Sequence, residues 1–169
     1  MAINAARVRI SAPTEPVVPG RGFYQLEEDE LYVQVGPLSK ERCFFNWLES
    51  DTVSLQFDRG GRLIFVEVRQ PRRHWTVDKN MARPRTAEIA DLRWLDFRQR
   101  FDSPALLTNE LRTCLQLRFS DAEPSHSYYL GDQVIVQLCP EGIPTSLWVH
   151  DIVDDLAGYM ISSFRKALR

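Results

Sequence analysis

The chain has 169 residues and a net charge of -2, with 44% apolar and 26% charged side chains. That size suits a single domain over 1–169 with a sizeable interior, and the balanced charge gives no global attraction to nucleic acid or anionic membrane. No apolar run approaches the roughly 20 residues of a membrane helix, and residues 1–16 lack the continuous apolar stretch of a signal peptide, so a cytoplasmic location is expected.

A short strand, Arg7 to Ser11, precedes the turn-rich APTEPVVPG at 12–20, where three prolines and a glycine prevent regular structure. Alternation then begins, with Leu31, Val33 and Val35 on one face and Tyr32 and Gln34 on the other. The run CFFNWL at 43–48 follows, then Val53, Leu55 and Phe57 alternating with Ser54 and Gln56. Asp58-Arg59-Gly60-Gly61-Arg62 supplies a hairpin turn. In the returning strand, Ile64, Val66 and Val68 fall on one face and Leu63, Phe65 and Glu67 on the other. Tyr32, Leu63 and Phe65 would thus form an apolar patch on the outer face, which calls for a covering element or a partner. Two covers fit, the C-terminal helix or a second subunit; a homodimer through this patch is the expectation, since symmetric pairs are the commonest assembly.

Residues 69–90 lose the alternation and form a basic connection. DLRWLDF at 91–97 fits a strand, LLTNEL at 106–111 a turn or short helix, and Leu115, Leu117 and Phe119 a further strand. A hairpin-like pair surrounds Leu130-Gly131-Asp132. The period then changes: Ile152, Leu156, Tyr159, Met160 and Ser163 share a helical stripe, widened by Val153, Ala157 and Phe164. Asp151, Asp154 and Asp155 near its start and Arg165, Lys166 and Arg169 near its end complement the helix dipole. A helix over about 151–168 is predicted. The fold class is α+β, a mainly antiparallel sheet with one C-terminal helix, divided into possible β-halves at 21–70 and 111–150.

One phrase recurs in the strands, DELYVQV at 29–35, DTVSLQF at 51–57 and DQVIVQL at 132–138. Its Asp suits a turn, its third, fifth and seventh residues share an apolar face, and its Gln points outward, so every position has a reason in the scaffold. FYQLEEDELYVQV and SDTVSLQFDRGGRLIFVEV carry a D-x-L-Y-[IV]-x-[LV] strand, a D-x-x-G turn and an R-[LV]-[IV]-x-[IV]-E-[IV] strand. The matching positions are Asp29, Leu31, Tyr32 and Val33, then Asp58, Gly61, Arg62, Leu63, Ile64, Val66, Glu67 and Val68. Over about 23–68 this resembles a family of short uncharacterised bacterial proteins, and 128–149 looks like a degenerate second copy, with Gly142 in the place of the turn glycine. Phe65 departs from the glycine common there. The resemblance implies a fold and carries no activity.

No nucleotide-binding glycine loop, nucleophile elbow or zinc-protease motif is present. Cys43, Cys114 and Cys139 are widely spaced and odd in number, which argues against a disulfide framework or a structural zinc site; each is expected to be a buried, free, hydrophobic residue. On a helix that includes His150, the pairs His150/Asp154 and Asp151/Asp155 would offer metal ligands, but acids at a helix start need no ion. Glu67 and His74 offer a carboxylate–imidazole pair for a hydrolase, with no nucleophile marked. Arg69, Arg72, Arg73, Lys79, Arg83 and Arg85, with Trp75 to stack on a base, offer a polyanion or nucleic-acid surface. The leading expectation is a non-enzymatic module that associates with itself or a protein partner, with no cofactor, no metal and no membrane; polyanion binding and hydrolysis are the alternatives.

Overall fold

The computed structural model describes residues 6–167. In chain order their elements are β1 (Val8–Ser11), β2 (Gly20–Gln25), β3 (Glu30–Val35), β4 (Asn46–Glu49), β5 (Val53–Phe57), β6 (Leu63–Val68), β7 (Thr76–Val77), β8 (Asp91–Trp94), β9 (Gln99–Arg100), β10 (Ala105–Thr108), β11 (Leu115–Arg118), β12 (His126–Gly131), β13 (Val134–Leu138), β14 (Pro144–Val149), β15 (Val153–Asp155) and α1 (Tyr159–Ala167). One sheet runs β15-β2-β3-β6-β5-β4-β9, a second runs β12-β13-β14-β11-β10-β7, and β1 pairs with β8 as a short ribbon. Pairing is mostly antiparallel, with parallel contacts where β15, β7 and β9 join their sheets. A mainly antiparallel β-protein with one C-terminal helix is therefore what this sequence builds.

The recurring strand phrase explains the interior. Its apolar positions on β3, β5 and β13 join Leu115 and Leu117 of β11 and Leu147 and Val149 of β14 in one buried cluster. Strand alternation puts those side chains on the facing sides of the two sheets and sends the Gln of each phrase outward. Gln137 there accepts a hydrogen bond from the Trp148 indole at 2.8 Å, and Gln34 donates to the Gly36 carbonyl at 3.1 Å. The Asp before β13 accepts from the Gly20 amide at 2.7 Å and so ties the second hairpin to β2.

The β5–β6 hairpin forms as expected, but the face assignment within β6 changes. Gln56 stands opposite Phe65 and Phe57 opposite Leu63, leaving Ile64 as the extra residue of a bulge. A bulge reverses the alternation that follows or precedes it. Leu63 therefore joins the interior, while Ile64 joins Phe65, Tyr32 and Phe23 on the outer face. That outer cluster is covered within the chain by Ile161 and Phe164 of α1 and by Leu38 and Phe44 of the 36–45 loop. Phe65 and Phe164 stack with ring centroids 4.2 Å apart. Tyr32, Leu63 and Phe65 are all buried, so the exposed patch that motivated a homodimer does not exist.

The helix also begins later than its apolar stripe predicts. Residues 153–155 form β15, paired in parallel with β2. Asp155 then accepts hydrogen bonds from the Met160 and Ile161 amides, both at 3.1 Å, satisfying free donors of the first turn. Leu156 and Tyr159, expected on the buried stripe, are each 78% exposed. LLTNEL ends β10 and then makes the expected turn, closed by the Arg112 amide on the Asn109 carbonyl at 3.0 Å, with no helix.

All three cysteines are free; Cys114 and Cys139 are buried and Cys43 is exposed. Cys43 falls in the 36–45 loop rather than in a strand, because β4 starts only at Asn46. One thiol per native chain should react rapidly with Ellman's reagent, and two more only in urea. Two or more fast native thiols would contradict the burial of Cys114 and Cys139.

Candidate functional site

Strand register brings together two residues 36 positions apart. Leu115 of β11 pairs with Val149 of β14, so the residues just beyond the ladder, Cys114 and His150, are cross-strand neighbours on the outer face of the second sheet. The Cys114 Sγ lies 3.5 Å from His150 Nδ1. Asn109 fixes the turn before β11: its side-chain carbonyl accepts from the Thr113 amide at 2.9 Å and the Cys114 amide at 3.1 Å. The His150 ring lies nearly parallel to Trp148, with centroids 6.3 Å apart. His150 is 4% exposed, and its Nε2 has no hydrogen-bond partner.

The basic connection after β7 straps over this face. It leaves β7 at one edge of the sheet, and Glu88 bridges to Tyr128 of β12 at the other. On the way Met81 and Ala87 pack against Cys114, Ile135 and Trp148. Beside the strap lies an open cleft of about 560 Å³, lined by Asp78, Lys79, Met81, Arg83, Asn109, Glu110, Leu111 and Cys114. Leu111 stands on its rim 82% exposed. Lys79 pairs with Glu110 at 3.6 Å. Arg83 has no acidic partner among the described residues.

Cys114, which lines the cleft, and its neighbour His150 are both held neutral. Burial pushes the Cys114 thiol up to about 11, against a smaller opposing pull from Arg83. Burial, helped by Arg83, pushes His150 down to about 4. A thiolate–imidazolium pair, the usual form of an activated cysteine nucleophile, is therefore disfavoured.

A second polar cluster sits on the outer face of the first sheet, next to α1. The Tyr32 hydroxyl is within hydrogen-bond reach of Glu28 and lies 2.9 Å from Glu30. Arg165 of α1 donates to Glu28 at 2.7 Å. Glu67, directly across the ladder from Tyr32, is pushed up to about 7 by burial first and then by Glu30, with Arg69 opposing. The cleft beside Cys114 does not reach this cluster.

The expected polyanion surface is largely spent on internal pairing. Arg69 donates to Glu49 at 2.6 Å, Arg72 pairs with Asp154 at 2.6 Å while lying over the Tyr24 ring, and Arg73 pairs with Asp29. Trp75, expected to stack on a base, is 2% exposed and packs edge-on against Tyr24 in the interior. It donates to the Gln70 carbonyl at 3.0 Å, which anchors the 3-10 turn Arg72–His74. Lys79 has Glu110, which leaves Arg83 and Arg85 as the exposed members of the set with no acidic partner among the described residues.

Glu67 and His74 do not pair: Glu67 faces the carboxylates, and His74 is exposed in the 3-10 turn. The metal reading based on a helix from His150 also falls, because 153–155 is a strand and Asp154 belongs to Arg72. Among the described residues, no group of three or more His, Cys, Asp or Glu side chains is placed to hold a metal ion, and no helix is long and apolar enough to cross a membrane. The Cys114–His150 pair escaped the sequence reading because nothing local links two residues 36 apart. The available signal was that each directly flanks an apolar run, at a parity opposite to the core residues. No protein-family model and no curated protein matches this chain.

Proposed function

We propose that the protein is a non-enzymatic binding module whose ligand seats in the cleft beside Cys114. The observation that carries the reading is a cleft with recognition chemistry and no activated reacting group. An unpaired Arg83 offers a planar donor fork for a carboxylate, sulfonate or phosphate, and Leu111 and Met81 offer apolar contact. The ligand class is therefore an anion joined to an apolar body, such as an acidic-hydrophobic segment of a protein partner. Hydrolysis through Glu67 lacks both a nucleophile and a substrate cleft. Extended nucleic-acid binding lacks the free cations, since four of the proposed seven residues are ion-paired and Trp75 is interior. A relation between the two β-halves, and the resemblance over 23–68, belong to the same reading. Their support is that Gly61 and Gly142 both adopt positive φ in hairpin turns.

The anionic fluorophore 1-anilinonaphthalene-8-sulfonate tests the cleft, because its sulfonate and rings match the two halves of the site. Arg83→Glu should weaken its binding about tenfold, the worth of one charge-assisted hydrogen bond. The uncharged N-phenyl-1-naphthylamine should bind both forms alike, and Leu111→Asp should weaken both dyes. Equal sulfonate affinity in wild type and a folded Arg83→Glu protein would refute the reading.

A further inference from the structure

We propose that Cys114, His150 and Met81 form a binding site for a soft monovalent cation, copper(I), at the cleft that Cys114 and Met81 line, with His150 reached through its contact with Cys114. The inference does not depend on the anion reading, which concerns the rim. The distance between Cys114 Sγ and His150 Nδ1 is 3.5 Å. Two ligands on one metal, with bonds of about 2.3 Å to sulfur and about 2.0 Å to nitrogen meeting at roughly 110–120°, stand about 3.5–3.7 Å apart. The two atoms thus already have the separation of a shared ligand pair, with no backbone movement required.

The third donor comes from the strap. Met81 packs against the cluster of Cys114, Ile135 and Trp148 and lines the same cleft as Cys114, which brings a thioether to the face that carries the thiol. Thiol, imidazole and thioether are a soft set, suited to copper(I) and poorly suited to magnesium, calcium or manganese.

Charge selects the oxidation state. On binding, the Cys114 S–H proton leaves to solvent, the thiolate sulfur and the imidazole nitrogen donate electron pairs to the cation, and nothing is oxidised or reduced. The site exchanges one proton for one monovalent cation and stays neutral overall. A divalent ion would leave a net positive charge among three side chains that are buried or half-buried and include no carboxylate. His150 is only 4% exposed, and Nδ1 is the ring atom that lies against the thiol.

The test uses the full chain with Cys43→Ser, which removes the exposed thiol, titrated anaerobically with copper(I) against the chromogenic chelator bicinchoninate. One copper per chain should be withdrawn from the chelator. Cys114→Ser and His150→Gln should each weaken binding by at least ~100-fold, and Met81→Leu, which keeps the shape, by about tenfold. X-ray absorption at the copper edge on the parent protein should show two sulfur ligands and one nitrogen. Failure to compete with the chelator, copper retained unchanged by folded Cys114→Ser or Met81→Leu proteins, or a spectrum without sulfur ligands would each overturn the site. The naphthalene-dye result at Arg83 reads the rim separately, so the two proposals fail independently.

Discussion

Replacing Gly61 with Val should cost about 4 kcal/mol, a loss found only where a special backbone position or the core is broken. Gly61 has φ +88°, a region in which a β-branched side chain is strained by roughly 1–2 kcal/mol before any contact is considered. A Cβ there would also stand 2.5 Å from the Trp94 carbonyl oxygen. That carbonyl cannot step aside cheaply, because the Trp94 amide donates to the Gly61 carbonyl at 2.8 Å and β8 is held by β1. The turn is closed on the other side by buried Asp58, whose carboxylate accepts from the Arg62 amide at 2.9 Å. Gly60→Ala is the control: its added Cβ crowds only the movable end of the Arg93 side chain, touches the Asp58 carboxylate at 3.4 Å, and its φ is not positive, so the cost should stay within about 1 kcal/mol. Thermal melts decide the matter. The Val variant should lose roughly 8–16 °C in Tm, at about 2–4 °C per kcal/mol for a chain of this size. An unchanged Tm would show that the hairpin is not closed in this way.

The hairpin itself was readable from sequence because its signals are local, two apolar alternating runs around Asp-x-Gly-Gly. What could not be read was the bulge at Ile64. Periodicity assumes that every residue advances the strand by one step, and a single extra residue moves Leu63 inward and Ile64 outward without changing composition. The expectation of an exposed apolar patch on the outer face followed from that error in part, and in part from not knowing where α1 would lie. The apolar stripe at 152–164 matched a helix well enough to hide β15, whose pairing with β2 is a contact across the whole chain. The start of α1 is set instead by Asp155 and by Gly158, which takes φ +70°. The basic connection shows the same limit for function. Its charges are visible in sequence, but their partners Glu49, Asp154 and Asp29 come from three separate strands or turns. Cys114 and His150 depend entirely on the β11–β14 register.

Between pH 6.5 and 4 the protein should lose about 3 kcal/mol through His150, masked in the wild type by an opposite change at Glu67. The unfolded chain binds a proton at an imidazole near pH 6.5, whereas the folded protein holds His150 neutral down to about 4. Acid therefore favours the unfolded state across that window, and the stability present above pH 6.5 is lost as pH falls. Glu67 works the other way. Its carboxyl keeps a proton in the folded state up to about pH 7, against about 4.5 when unfolded. Its contribution is complete below pH 4.5 and lost as pH rises through 7, where ionised Glu67 must lie beside Glu30. The two slopes oppose each other between pH 4.5 and 6.5, so the wild-type urea midpoint should be nearly flat there. Glu67→Gln copies the protonated form at every pH. It should raise the midpoint at pH 8, match wild type near pH 4.5, and uncover a steep acid loss between pH 6.5 and 4. Adding His150→Gln should remove that loss. If Glu67→Gln lowers stability at pH 8, the carboxylate cluster is held by ionised Glu67 paired with Arg69; if the double variant keeps the acid slope, a group other than the imidazole beside Cys114 takes up the proton.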